Sequence, residues 1–286
     1  MFKDPFNLDP NKLVLCEVFN YTNLAAEANH RMSCKKVMDL VQKHQLLFAI
    51  KQEYTLTTID GHLCGWPQNG FPASQDPKAT GRDIAVCHYK ACRYAGINIF
   101  RKYEKDRPWQ CEFQIGLCEG IEMGDQLWVA RFLLHRVCED FGVVATLKPN
   151  PIKGNWNGSG GHTNFSTKRM REEGESCLVV DHLMKNPGER RSRYIEEAMK
   201  KLNVEHIKVS DPHSGQDNMS RHETPNMDKF STEISNRGAS IRFPHQVVQD
   251  KKGKFAAHCD PYLVTKAIAS MCLLDDEEEV KGNNYY

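Results

Sequence analysis

No stretch of this 286-residue chain is both long enough and apolar enough to span a bilayer. The opening MFKDPFNLDPNK has neither the apolar centre of a signal peptide nor a basic amphipathic presequence, which sets the expectation of a cytoplasmic protein. A dominant charge sign is lacking too. With 38 Lys and Arg against 37 Asp and Glu, the formal charge is +1. No long-range field exists to steer nucleic acid or anionic membrane, and neither is expected as a partner. The 11 cysteines are odd in number, scattered, and nowhere arranged as Cys-x-x-Cys. That speaks against a zinc site or a disulfide framework and for reduced structural thiols. No internal repeat is present. What remains is 40% hydrophobic and 26% charged residues, an ordinary globular composition sufficient to bury a real core.

Hydrophobic periodicity sets out the elements. Leu13–Asn20 reads as a strand, and Ala25–Lys43 as an amphipathic helix carrying Met32, Val37, Met38, Leu40 and Val41 on one side. Leu46–Thr58 alternates, with Phe48, Ile50, Gln52 and Tyr54 on one face and Lys51, Glu53 and Thr55 on the other. Asp60-Gly61 makes a turn, and a Pro/Gly-rich loop leads to a helix from about Arg82 to Tyr94. Trp109–Leu117 alternates again. Asp125 is placed as the N-cap of a helix running through Phe141, stopped by Gly142, with a short strand at Val143–Leu147. The segment about 174–193 is a charged insertion, followed by a helix near Tyr194–Leu202 and a strand-like segment at Ile234–Phe243. Asp260-Pro261 opens a last helix to about Leu274, and 275–286 is an acidic, then polar, tail.

Two features carry chemistry. The run Pro151–Thr167 (PIKGNWNGSGGHTNFST) sets four glycines among short amides and a hydroxyl, with His162 beside them. Backbone N–H groups freed of Cβ atoms can approach an anion there, and a neutral imidazole can hold the divalent ion that accompanies a phosphate. A wide Gly/Asn turn into a strand, with His162 satisfied in the interior, explains the same residues more plainly. The second feature tips the balance. Glu53 and Glu112 lie on the polar faces of two strands, with Glu119 just beyond, and carboxylates inside strands are unusual unless that face is wet or binds a cation. Three carboxylates, a histidine and a Gly-rich loop together suit Mg²⁺ or Mn²⁺ carrying a nucleotide.

GWPQNGFP (Gly65–Pro72), GRDI (Gly81–Ile84), CEFQIGLCEGIEMGDQLWVARFLLHRVCEDFGV (Cys111–Val143), GNWNGSGGHTNFSTKRMREE (Gly154–Glu173) and NRGASIRFP (Asn236–Pro244) closely resemble glutamine synthetase of the animal type. The resemblance runs in order from about Met1 to Leu274, sparing only the insertion and the tail. It implies an α+β fold, a curved antiparallel sheet forming a funnel with helices on its outer side, as one catalytic-type domain over 1–274. It also implies ATP-dependent ligation of glutamate and ammonia through a γ-glutamyl phosphate, with two divalent ions. Carried over residue by residue, Glu53, Glu112 and Glu119 match the carboxylates of the first ion, and His162 a ligand of the second. Asn155, Trp156 and Gly158 match contacts to glutamate. Glu119, Gly120 and Gly124, with Asn164, Phe165 and Ser166, match segments lining ATP. Glu223 matches the flap carboxylate over the ammonium site, and Arg237 and Arg242 the arginines of the phosphoryl group and nucleotide, with Arg237 also facing substrate.

The departures matter as much. Where the family reads E-Q-E, this chain reads Lys51-Gln52-Glu53, and where the family reads F-E-D-R-R-P, Phe255 is followed by Ala256-Ala257-His258. Two ligands of the second ion and a substrate arginine are thereby replaced. Lys51 shares a face with Glu53, so a salt bridge there would take the place of a cation. A unit charge near 4 Å is worth about 4 kcal/mol at an intermediate dielectric. The sequence also opens where the family's catalytic domain opens, leaving the β-grasp domain that completes a neighbour's pocket without a counterpart. The expectation is one ion site retained, the second doubtful, and ligation impaired or lost, in a homo-oligomer or in co-assembly with full-length relatives. The alternative is a non-catalytic structural or interaction protein on the same fold.

Overall fold

The alternation of Leu46–Thr58 decides the architecture. In the computed structural model, which describes residues 1–22, 25–26, 29–62, 81–104, 110–148, 161–171, 232–234, 241–243 and 260–274, this segment becomes β3 (Leu47–Thr58) and carries three partners. Along one edge runs β5 (Gln110–Glu119). On the other edge, β7 (Gly161–Ser166) pairs with the first half of β3 and β6 (Val143–Thr146) with its last residues. β4 (Ile99–Glu104) adds outside β5, completing an open five-stranded antiparallel sheet. Two small pairs lie apart from it: β1 (Phe2–Lys3) with β2 (Lys12–Leu13), and β8 (Thr232–Ile234) with β9 (Ile241–Phe243).

One face of this sheet is apolar. Phe48, Ile50, Tyr54 and Leu56 from β3 join Phe113 and Ile115 from β5 and Phe165 from β7, all buried. They belong to one core with Met123, Leu127, Leu133 and Leu134 of α3 (Glu122–Asp140). Each such side chain contributes about 1.5–3 kcal/mol by leaving water. Around α3 pack α2 (Arg82–Ala95) and α5 (Pro261–Leu273), and α5 packs in turn on α1 (His30–Leu40). A single turn, α4 (Lys168–Arg171), follows β7. Helices on an antiparallel sheet are the α+β arrangement the sequence points to.

Polar groups in this core stay neutral. His88 is buried with Nε2 2.9 Å from the Ala130 carbonyl and 3.2 Å from Cys92 Sγ, and burial pulls its pKa down to about 4. Burial likewise pushes the Cys34 thiol up to about 11 and those of Cys118 and Cys138 up to about 12. None is a thiolate at neutral pH, in keeping with structural cysteines.

Three expectations are corrected, and one strand is added. The strand at Leu13–Asn20 shrinks to Lys12–Leu13, because Val14 and Val18 stand 61% and 65% exposed with no face to cover. The first helix starts at His30 because the Asn29 side chain accepts from the Met32 N–H at 3.3 Å, a cap that breaks the apparent period. Asp125 lies inside the first turn of α3 and is not its cap. β4 was not foreseen, since IFRKYE at a sheet edge shows no clear alternation. By contrast, Asp260 caps α5 as expected, accepting from the N–H groups of Tyr262 at 2.9 Å and Leu263 at 3.2 Å.

Candidate functional site

The face of β3 opposite the core carries Leu47, Ala49, Lys51, Glu53, Thr55 and Thr57, and strand register sets their neighbours. Glu53 pairs with Glu112. Lys51 pairs with Gln114 on β5 and with His162 on β7. Ala49 lies between Gly116 and Asn164, and Leu47 between Glu119 and Ser166.

Glu119 owes its place to a bulge. Seven positions separate it from Glu112, which in a regular strand would send it to the core side. The register shifts between Phe48 and Ala49, leaving Leu117 as an extra residue, 59% exposed, so Glu119 returns to the polar face. Gly116 makes the bulge sterically feasible: its φ is +116°, and a Cβ there would stand 2.6 Å from the Phe48 carbonyl oxygen.

Register brings two of the three carboxylates together. Between them stands the lysine: Lys51 Nζ is 2.9 Å from Glu112 Oε2 and 3.5 Å from Glu53 Oε1. The Lys51 side chain is 29% exposed, while those of Glu53 and Glu112 are 6% and 13% exposed. Glu119 lies six β3 positions away, roughly 20 Å in an unbent strand, and is itself exposed. Among the described residues no three acidic, histidine or cysteine side chains stand close enough to hold an ion. In chemistry the carboxylates fit a hard cation. In place, two of them are already engaged by an ammonium, so the fit is partial.

The other expected site residues distribute as follows. The Asn164 amide donates to the Ala49 carbonyl at 3.4 Å. Arg171 donates to the Ser166 hydroxyl at 3.1 Å and to the Gln45 carbonyl at 2.7 Å, tying the end of β7 to the start of β3. The Phe165 ring faces the core, 5.3 Å from the Phe48 ring, so only its main chain is turned to the polar side. Gly120 has φ +53° at the turn into α3. Gly124, in that helix, lies under Tyr262, whose Cε1 would be 2.2 Å from a Cβ, so its missing side chain serves packing. His162 and Arg242 are placed by backbone in β7 and β9. Asn155, Trp156, Gly158, Glu223, Arg237 and Ala256 lie outside the described residues.

Two groups of residues escaped the sequence reading. Gln52, on the core face, donates from Nε2 to the Glu53 carbonyl at 2.9 Å and accepts from Arg131 Nη2 at 2.5 Å, linking α3 to the acidic strand. The available signal was a glutamine on an otherwise apolar face, which must find a partner. Arg31 grips both oxygens of Asp125, at 2.8 and 2.9 Å, and also binds Glu17, while the Tyr262 hydroxyl donates to Asp125 at 2.6 Å. No local pattern announces a contact across 94 residues.

Comparison with known proteins bears on the family. A family model described as the catalytic domain of glutamine synthetase matches residues 39–274. The glutamine synthetase of Mus musculus is 53% identical over 297 residues, covering 96% of this chain and 75% of the relative. Those of Homo sapiens and Gallus gallus are 52% and 50% identical over 296 residues, with the same coverage of both chains. Among the described residues no helix is long and apolar enough to cross a membrane. With the family model matched over residues 39–274 and animal relatives at 50–53% identity, the chain belongs to the glutamine synthetase family.

Proposed function

We propose that this chain descends from an ATP-dependent glutamate–ammonia ligase and carries out that reaction weakly or not at all. The observation behind this reading is the Lys51 ammonium lying on Glu53 and Glu112, where the family's chemistry calls for carboxylates around divalent ions. Glu53 and Glu112 remain the residues to hold one Mg²⁺ or Mn²⁺, at reduced affinity, while Glu119, expected as their companion, stands too far along the sheet to share that ion. The second ion is left with His162, since Lys51 and Ala256 replace its other ligands. A bound ion supplies positive charge against the transferring phosphoryl group.

The chain's own residues have the remaining tasks. Asn155, Trp156 and Gly158 hold glutamate. Asn164, Ser166 and the Glu119–Gly124 turn line ATP, with Phe165 contributing main chain. Arg237 and Arg242 neutralise phosphate oxygens, and Glu223 closes over ammonium and keeps water from the activated acyl group. Each missing ligand lowers stabilisation of the same transition state, so the losses compound. Partners follow the family: glutamate, ammonia, ATP, and a homo-oligomer or a ring shared with longer relatives. Partners cannot cure Lys51 or Ala256, which belong to this chain.

The γ-glutamyl hydroxamate assay is the test. Turnover at least about a hundredfold below that of a full-length relative is expected, and near-equal turnover overturns the reading.

A further inference from the structure

The register of β3 and β5 sets Glu53 directly opposite Glu112, both largely buried. Like charges on facing strand positions repel, and a buried carboxylate with no counter-charge is costly. The pair therefore needs a cation whether or not a metal is present. Lys51 is two residues from Glu53 on the same face and diagonal to Glu112, and its ammonium reaches one oxygen of each. We propose that Lys51 is the resident cation of the Glu53–Glu112 pair, an internal competitor that holds the two carboxylates together in the metal-free protein and must be displaced before a divalent ion enters.

The inference rests on the family reading for the identity of the acid pair, and goes beyond it in naming what occupies that pair. Three features support displacement over a permanent bridge. An ammonium is a single point of charge on a flexible stem, without the fork that locks an arginine to a carboxylate. Its two contacts are unequal, at 2.9 and 3.5 Å. And Lys51 is the most exposed member of the cluster, so water is at hand to receive it. A divalent ion also brings two positive charges to the pair where the ammonium brings one.

The test is Mn²⁺ binding followed by the paramagnetic resonance of the free ion, without nucleotide. Wild type should bind weakly. Lys51→Met should bind at least about tenfold more tightly, Lys51→Arg should stay weak, and Lys51→Met combined with Glu112→Gln should lose the gain. Wild type binding as tightly as Lys51→Met overturns the proposal, as does a gain that survives Glu112→Gln. Should Lys51→Met fail to fold, the wild-type protein still decides. Amine-reactive labelling mapped by mass spectrometry should find Lys51 more reactive with saturating Mn²⁺ than without, and unchanged labelling counts against displacement. Turnover is read separately. Poor hydroxamate formation with equal Mn²⁺ binding by both proteins sinks the resident cation alone, and normal turnover with the expected Mn²⁺ pattern sinks the impaired-ligase reading alone.

Discussion

Arg31 and Lys51 each hold two carboxylates: Asp125 of α3 and Glu17 of the N-terminal segment in one case, Glu53 and Glu112 on the sheet face in the other. The guanidinium takes both oxygens of Asp125, and a tyrosine hydroxyl closes on the same carboxylate. The ammonium touches one oxygen of each glutamate at unequal distances. One cluster joins α1, α3 and α5 to the N-terminal segment and has geometry to lose. The other joins neighbouring strands already held by backbone hydrogen bonds, so its cation can be exchanged without undoing the sheet. Similar groups thus serve as a fastener in one place and as a replaceable filling in the other.

Breaking the fastener should have the largest effect. Asp125→Ala leaves Arg31 with Glu17 alone and frees the Tyr262 hydroxyl, and a loss of about 4 kcal/mol from the bidentate pair and that hydrogen bond together is expected in urea unfolding. Acidification needs separating from both clusters, because His88 titrates behind the sheet. Its pKa is about 4 in the fold against an ordinary 6.5, so its contribution is complete above pH 6.5 and is lost as pH falls towards 4. That amounts to about 3 kcal/mol, which His88→Gln should remove from the profile. Lys51→Met should cost about 2 kcal/mol without metal, largely restored by Mn²⁺. If it costs as much as Asp125→Ala and Mn²⁺ restores nothing, the contrast between the clusters collapses.

Tyr262→Phe is the finest probe, at about 1 kcal/mol for one hydrogen bond. Burial first, and the Asp125 hydrogen bond second, hold the Tyr262 phenol above its ordinary pKa of 10. Its stabilisation is therefore whole below pH 10 and fades as pH climbs beyond. Wild type should lose stability above pH 10 more steeply than the phenylalanine variant, and parallel curves would show that the fold does not hold the phenol protonated.

The polar face was legible because alternation is local. Phe48 to Leu56 marked the buried side, and Lys51 and Glu53 had to share the other. That Lys51 would meet Glu53 followed from spacing alone. Its tighter contact with Glu112 depended on register, which no single strand carries. Asp125 was misread because Asp before an apolar run resembles a cap, while its partner lies 94 residues away. Glu119 was named through resemblance, and its side of the strand could not be read without knowing that Leu117 is extra.

Leu117 has a consequence for how the chain can vary. Beyond it, odd and even positions exchange sides, so Cys118 looks into the oil and Glu119 into the water. Spelling at this locus is free to drift, but its letter count is not. Deleting one residue would turn the strand's tail inside out, burying an acid and exposing a thiol in a single event.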